Sequence, residues 1–500
     1  MTSPHSRTVA VAAATLAILT SVAGPLGTAR AQTTFEVVQR FPSANISLTV
    51  GSDGNIYGVS TRPPSWASVS EKTAFRIDGT GTLTTIHTFA NFGWLDHPPP
   101  GSRLVVGQDG ALYGTTPNFT GGGATRGEFF RLDNAGNYTL LANLPLYAGA
   151  DLLLGHDGAF YSVLGIESCI FGGCWGGNLF RIDTAGNLTL LTADAPFRPP
   201  FPSVIGSDGA LYGAQLATFT PAHIFRLDTI SGNYTVLHDF TADEFFAKDF
   251  ILGSDGLLYG ANPDATSGAY GHVFRFDNLG NFTILHAFSG LDGSLPINPL
   301  TVGSDGAVYG VTEQDGPAGG GTLFKVDQAG AFSTLQAFGY VGADPNQPLA
   351  RVKNGALYGT TVSNYVFHLD SAGTFTSNPF NTTESILYPA SPLVESGSDC
   401  ALYGVVAQSG QEGEIDQTVY RLFEPGHLCQ RITFAPLPDR TLGDPPFTVT
   451  ATASSDLPVS LSASGRCTLN GDQLVLGRGV GVCRVTASQD GDSRFGAAAD

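Results

Sequence analysis

One block of sequence occurs eight times between residues 51 and 423. GSDGNIYG at 51–58 comes back as GQDGALYG, GHDGAFYS, GSDGALYG, GSDGLLYG, GSDGAVYG, KNGALYG and SGSDCALYG. Its tyrosines are Tyr57, Tyr113, Tyr161, Tyr212, Tyr259, Tyr309, Tyr358 and Tyr403, spaced by 45 to 56 residues. Each copy is followed by a second block (AFRID, FFRLD, LFRID, IFRLD, VFRFD, LFKVD, VFHLD, VYRLF). A third, such as GTLTTIHTF or GNFTILHAF, comes after a Gly turn. Alternating apolar and polar residues at this period specify four short strands per unit, stacked as a propeller or a solenoid.

Within each unit, strand a is the apolar segment before Asp-Gly. Strand b carries Leu-Tyr-Gly, strand c is the Phe-Arg-Leu-Asp segment, and strand d has the Thr-x-Leu-x-x-Phe pattern. Asp-Gly predicts a two-residue type I′ turn, with positive φ at both central residues. FEVVQRF at 35–41 reads as a strand d with no a, b or c before it, and no strand d follows VYRLF at 419–423. The opening strand therefore completes the last unit. The expected fold is all-β: an eight-bladed β-propeller closed by the N-terminal strand, with no free sheet edge. A solenoid leaves the orphan strand unexplained. From Cys429 the pattern gives way to Pro, Ser, Thr and Val in short alternating strands, which predicts a small β-sandwich. No final strand is evident before Asp500, so the sandwich is incomplete or the chain a fragment.

Apolar residues make up 42% of the 500 residues, enough for a large core, and charged residues only 13%. The formal net charge is −19, with 24 Lys and Arg scattered along the chain. That excludes the basic stripe a nucleic-acid binder or an anionic-membrane binder needs. His5 and Arg7, the uncharged apolar stretch from Thr8 to Ala23, the Gly24-Pro25 pair and Ala29-Arg30-Ala31 read as a signal peptide cut before Gln32. The expected divisions are a signal peptide at 1–31, the propeller at 32–428 and the sandwich at 429–500. No later run is long and apolar enough to span a membrane, so the mature chain is expected to be secreted or held at the cell surface. Six cysteines in an exported chain should pair. Proximity suggests Cys169 with Cys174, Cys467 with Cys483, and Cys400 with Cys429.

The (L/I/V)YG block followed by (V/I/L/A)F(R/K)(L/I/V)D resembles the bacterial tandem repeat called GloVer, over about residues 35–423. ITFAPLPD, GDPPFTVTATASS and CRVTASQDGDSRF resemble strands of bacterial Ig-like domains, over about 431–500. The resemblance implies an exported propeller-type repeat protein with an Ig-like tail, and brings no catalytic residues with it.

Propeller geometry puts the a–b and c–d turns on one face and the b–c and d–a loops on the other. The turns are short and nearly constant. The loops are long and differ in every unit, as in RPPSWASVSEKT, NFTGGGATRGE, GIESCIFGGCWGGN and QSGQEGEIDQT. A ligand is therefore expected on the loop face near the axis. The three tryptophans, Trp66, Trp94 and Trp175, all fall in these loops and suit stacking on a sugar or burial in an interface. Asp96 and His97 could add hydrogen bonds. Filling of gaps between blades is the competing role for the tryptophans. Glu412, Glu414 and Asp416 form the densest carboxylate group and are the weak candidates for calcium; no other cofactor is expected.

The repeated acids Asp53, Asp109, Asp157, Asp208, Asp255 and Asp305 read as turn residues. The Arg76–Asp78 pattern reads as a structural ladder, and His87, His238 and His286 share one strand d position that looks structural. Sequons at Asn118, Asn137, Asn187, Asn233 and Asn281 mostly arise from turn chemistry. No catalytic motif is found, neither a zincin or lipase pattern nor a phosphate loop. The expected role is a binding or adhesion module that presents its variable loops to a glycan or protein ligand. The alternative is an extracellular carbohydrate- or lactone-directed lyase or hydrolase with its site at the propeller axis.

Overall fold

Each Asp-Gly block folds into a hairpin turn that its own side chains organise. A computed structural model describes residues 34–42, 44–61, 70–92, 103–120, 124–145, 152–165, 169–170, 173–174, 177–191, 201–215, 222–240, 249–263, 270–297, 299–339, 345–363, 365–379, 388–409, 415–423, 429–430, 432–434, 445–465, 467–476, 483–490 and 498. In the first repeat the Gly54 N–H donates to the Gly51 carbonyl (3.0 Å) and the Gly51 N–H to the Asn55 carbonyl (2.8 Å). Asp53 Oδ1 accepts the Asn55 N–H at 3.1 Å, and Oδ2 accepts the Tyr57 hydroxyl at 2.9 Å. Of the turn residues only Gly54 has positive φ, at 81°. The turn is thus a three-residue loop, a type I turn closed by a left-handed glycine, and not the expected two-residue type I′ turn. The Asp53 carboxylate is the reason: it caps the backbone two residues on, a geometry that leaves Asp53 itself right-handed.

The glycine that follows the tyrosine in seven of the eight repeats (Ser162 stands there in the third) has a different cause. Gly58 lies directly opposite Phe75 of strand c, and a Cβ there would stand 2.3 Å from Phe75 Cζ. The missing side chain is the space the phenylalanine fills, and Phe75 is fully buried. Burying such a ring contributes about 1.5–3 kcal/mol.

In the first repeat, Asn45–Val50, Ile56–Thr61, Ser70–Ile77 and Leu83–Phe92 form one antiparallel sheet in chain order. Seven more sheets follow. Their second strands are Leu112–Thr120, Phe160–Gly165, Leu211–Gln215, Leu258–Asn262, Val308–Gln314, Leu357–Thr361 and Leu402–Ser409. The first strand is split in two in the sixth and eighth repeats. The eighth sheet takes its outer strand from the start of the chain: Thr34–Phe41 runs antiparallel to Ile415–Phe423, from Thr34 opposite Phe423 to Phe41 opposite Gln417. Each sheet is open, with its own two edges, and there is no helix among the described residues.

Apolar side chains meet between neighbouring sheets. Tyr57, Phe89, Leu112 and Phe130 pack between the first and second repeats. Leu48, Ile56 and Phe75 of the first repeat pack with Tyr403, Val405 and Val419 of the eighth. The same two repeats share hydrogen bonds from the Gly397 N–H to the Gly54 carbonyl (2.9 Å) and from the Ile46 N–H to Gln417 Oε1 (2.7 Å). Three imidazoles lie flat on an aromatic ring of the next repeat: His87 on Tyr138 (4.1 Å), His238 on Phe282 (4.0 Å) and His286 on Phe332 (3.5 Å).

Beyond the eighth sheet, Ile432–Phe434 pairs with Ala451–Ala453, and Ser460–Gly465 with Cys483–Ser488. Phe447–Thr448, Gln473–Leu476 and Cys467–Asn470 form a third small sheet. Val449, Cys467 and Leu474 are its buried core. The expected Cys400–Cys429 disulfide is present and ties this segment to the turn of the eighth repeat. Cys400 occupies the position of the turn glycine with φ 57°. Cys169 stands opposite Cys174 across a two-residue hairpin, Cys467 is disulfide-bonded, and no described cysteine is free.

Candidate functional site

The two ends of the sheets differ in chemistry. At the turn end one network is repeated. Asp109 Oδ1 accepts the Ala111 N–H (3.1 Å), and Oδ2 accepts the Tyr113 hydroxyl (3.1 Å) and Arg131 Nη2 (3.0 Å). Asp157 with Tyr161 and Arg181, Asp208 with Tyr212 and Arg226, and Asp305 with Tyr309 and Lys325 reproduce it, the ion pairs at 2.7–2.8 Å. In the eighth repeat Arg421 lies between Asp399 (3.3 Å) and Glu36 of the opening strand (2.8 Å). Burial pushes the Asp208 carboxyl up, but the guanidinium, the Ala210 N–H and the tyrosine hydroxyl outweigh it and hold it below the usual range. Tyr212 is pushed up to about 12, chiefly by burial.

These groups satisfy one another, which fits a structural role. The Arg of strand c pairs with the acid of the a–b turn. The acid two residues after it caps the c–d turn instead: Asp133 Oδ1 accepts the Asn137 N–H at 2.8 Å. The sequon asparagines Asn137, Asn187 and Asn281 donate their side-chain amides to Asp133, Asp183 and Asp277 at 2.7–2.8 Å. They are turn residues by geometry.

At the loop end the chemistry changes from sheet to sheet. The residue three places after each repeat tyrosine is Ser60, Thr116, Leu164, Gln215, Asn262, Thr312, Thr361 or Val406. Across strand c the opposite residues include Thr73, Glu128, Asn178, His223, His272, Tyr365 and Thr418. Ser60 and Thr73 share a hydroxyl contact at 2.6 Å, and Thr312 and Thr322 one at 3.0 Å. The Tyr234 hydroxyl bridges His223 Nε2 (2.8 Å) and Gln215 Oε1 (3.1 Å). Asn262 is fully buried, and neither polar atom of its side chain has a partner. This layer was not singled out from the sequence. Its signal is the varying residue after the constant Tyr-Gly.

Two described loops show how this end is built. Asp292 Oδ2 meets His286 Nε2 at 2.7 Å, and Oδ1 accepts the Ser289 N–H (2.8 Å) and hydroxyl (2.9 Å). Burial pushes the Asp292 carboxyl up, but the Ser289 donors and His286 outweigh it and hold it low. The Ser294 hydroxyl donates to Asp315 Oδ2 at 2.6 Å. Leu295 and Asp315 both adopt positive φ here (54° and 60°), the strained backbone that loops at working ends often carry.

Trp66, Trp94, Asp96, His97, Trp175, Glu412 and Glu414 lie outside the described residues. Asp416 is half-buried on strand Ile415–Phe423, opposite Gln408. Among the described residues no group of three His, Cys, Asp or Glu side chains is set to hold a metal, and no helix is long and apolar enough to cross a membrane.

The fold is that of an all-β, propeller-like repeat protein. Residues 148–365, from the third repeat into the seventh, match the Gloeobacter/Verrucomicrobia repeat family, so the chain carries repeats of that family. No curated protein matches the sequence. Among solved structures, a streptogramin B lyase is similar at 15% identity and a TM-score of 0.43, over 66% of this chain and 96% of that one. Virginiamycin B lyase from Staphylococcus aureus is similar at 16% identity and 0.40, over 63% and 93%. Oligogalacturonate lyase from Vibrio parahaemolyticus is similar at 12% identity and 0.42, over 79% and 98%.

Proposed function

We propose that this chain is an exported binding module: an eight-bladed propeller zipped by residues 34–41, with an Ig-like domain after it, whose loop end engages a glycan or protein ligand. The observation that carries the reading is the asymmetry of the sheet ends. At the turn end Asp, Tyr and Arg neutralise one another in the second, third and fourth repeats, and Asp, Tyr and Lys in the sixth, which leaves little there for a ligand to select. At the loop end the polar layer differs in each sheet, from Ser60–Thr73 to Gln215–His223 and Asn262–His272. Long, non-repeating loops that carry every tryptophan extend from that end. A rigid scaffold with one constant and one variable end is suited to recognition at the variable end. The Cys400–Cys429 link ties the departing segment to the turn of the eighth repeat.

The test is a glycan and surface-protein array probed with the whole chain and with Trp66→Ala, Trp94→Ala and Trp175→Ala. Binding to a defined set of ligands, lost in at least one variant, is expected. Equal binding by all four proteins, or no ligand at all, overturns the reading. Export predicts that the secreted protein begins at Gln32.

A further inference from the structure

The chain has two Asn-Gly pairs, Asn354-Gly355 and Asn470-Gly471, and it folds them differently. In such a pair the glycine peptide nitrogen can attack the side-chain carbonyl carbon of the asparagine, because no side chain on the glycine shields it. Both asparagines are exposed, so access to water does not separate them.

At Asn354 both reacting groups are held. The residue takes the place of the turn aspartate in the seventh repeat, and its Oδ1 accepts the Ala356 N–H at 2.9 Å. The Gly355 N–H, the nucleophile of the reaction, donates to the Val352 carbonyl at 2.9 Å, and the Val352 N–H donates to the Ala356 carbonyl at 3.0 Å. A Cβ on Gly355 would stand 2.8 Å from Ser304 Oγ, so the turn is also packed against the sixth repeat. Val352 and Ala356 are buried beneath it. Freeing Asn354 means opening this turn.

Asn470 ends the strand Cys467–Asn470, and Gly471-Asp472 turns the chain into Gln473–Leu476. Gly471 has φ 64° and is the one positive-φ residue of this turn, the pattern of a two-residue type II′ hairpin. Among the described residues the Asn470 side chain has no hydrogen-bond partner, and neither has the Gly471 N–H. A Cβ on Gly471 would meet nothing within 4 Å. The hairpin tip is exposed at Asn470, Gly471 and Asp472, so its local opening is the easier of the two.

We propose that Asn470 is a site of spontaneous deamidation, and that Asn354, in the same dipeptide, is protected by its turn. The Gly471 nitrogen bonds to Asn470 Cγ, the Cγ–Nδ2 bond breaks, and the amide leaves as ammonia with the proton that the nitrogen gives up. Water then opens the cyclic imide at one carbonyl or the other, which leaves an aspartyl or an isoaspartyl residue at 470. Either product adds a negative charge close to Asp472. The isoaspartyl form also inserts a carbon into the backbone of a two-residue turn. The segment after the eighth sheet thus carries a mark that accumulates with the age of the protein, independently of the loop-end reading.

The experiment is peptide mapping by mass spectrometry of the full chain during incubation in mildly alkaline buffer at 37 °C, folded and, in parallel, unfolded in urea. Amide-to-acid conversion is followed at both asparagines, and the aspartyl and isoaspartyl products are separated by chromatography. In the folded chain Asn470 should convert at least about tenfold faster than Asn354, whose turn must first lose its hydrogen bonds. In urea the two rates should come together. Equal rates in the folded chain, no conversion at Asn470, or the same ratio in urea as in the folded chain overturns the proposal.

Discussion

Replacing Asp208 tests whether the repeated turn acid is a structural member. Its Oδ1 accepts the Ala210 N–H at 3.1 Å. Its Oδ2 accepts the Tyr212 hydroxyl at 3.0 Å, Arg226 Nε at 2.9 Å and Arg226 Nη2 at 2.7 Å. The ion pair is neither open nor sealed: the side chains are 23% and 22% exposed. It is therefore worth more than the roughly 0.2–1 kcal/mol of a surface pair and less than a buried one. Asp208→Ala also leaves the hydroxyl proton of Tyr212, a residue 1% exposed, without its acceptor, at a cost of about 1–3 kcal/mol. The sum is about 3 kcal/mol. Asp208→Asn keeps the Ala210 cap through its one carbonyl oxygen but puts an amide donor where Oδ2 accepted from Tyr212 and Arg226, and should cost about 2 kcal/mol, less than Asp208→Ala by the retained cap. Urea unfolding followed by circular dichroism, with slopes compared as well as midpoints, separates the three proteins. If Asp208→Ala unfolds with the wild type, or Asp208→Asn is as damaging as Asp208→Ala, the assigned role is wrong.

Gly310→Ala should lower stability by about 1–3 kcal/mol, because the new Cβ would stand 2.4 Å from Phe324 Cζ in a packed seam; an unchanged unfolding midpoint would contradict this. Cys400→Gly with Cys429→Ser opens a link that spans 29 residues, worth roughly 3–4 kcal/mol in closure entropy. Limited proteolysis should then cut near 424–430 while the repeats stay intact, and equal resistance would sink that expectation. Asp109, Asp157, Asp208 and Asp305 are all held below the ordinary carboxylate value of 3.8, so their stabilisation is complete above that value and is lost as pH falls through the folded values. Burial also lowers the pKa of His87, whose unfolded value is near 6.5. The unfolded state therefore binds the proton first, and stability should begin to decline below about pH 6.5. A melting temperature flat from pH 7 to pH 3 would refute both.

The repeat architecture was legible because its constraints are local. The Asp-Gly turn, the tyrosine that reaches back to it and the glycine opposite a phenylalanine lie within one unit, so the tyrosine is spelled eight times and the other two in six of the eight units. The turn type was misjudged because Asp-Gly alone resembles a two-residue hairpin. The side chain of Asp53, capping Asn55, decides for the longer loop. The pairing of Cys400 with Cys429 followed from proximity, but not that Cys400 would fill a glycine's left-handed position. The loop-end layer escaped notice because it has no repeated spelling. Ser60, Gln215, Asn262 and Thr312 share a place, three residues after the tyrosine, but not a residue type. The seventh turn was visible as KNG in place of SDG, yet the structure was needed to see that Asn354 still caps Ala356 while His368, in the arginine's place, turns to Thr376.

The pairing of the chain's two distant segments is the claim on which the two-ended picture rests, and amide hydrogen exchange measures it directly. Residues 34–41 pair along 417–423 as the edge strand of their sheet, so the amides of 34–41 that face 417–423 should exchange as slowly as those of the edge strands Leu188–Leu190 and Tyr234–Asp239, and 415–423 as slowly as a strand paired on both sides. Exchange of 34–41 at the rate of a free chain end, with 415–423 unprotected on its outer edge, would contradict the account.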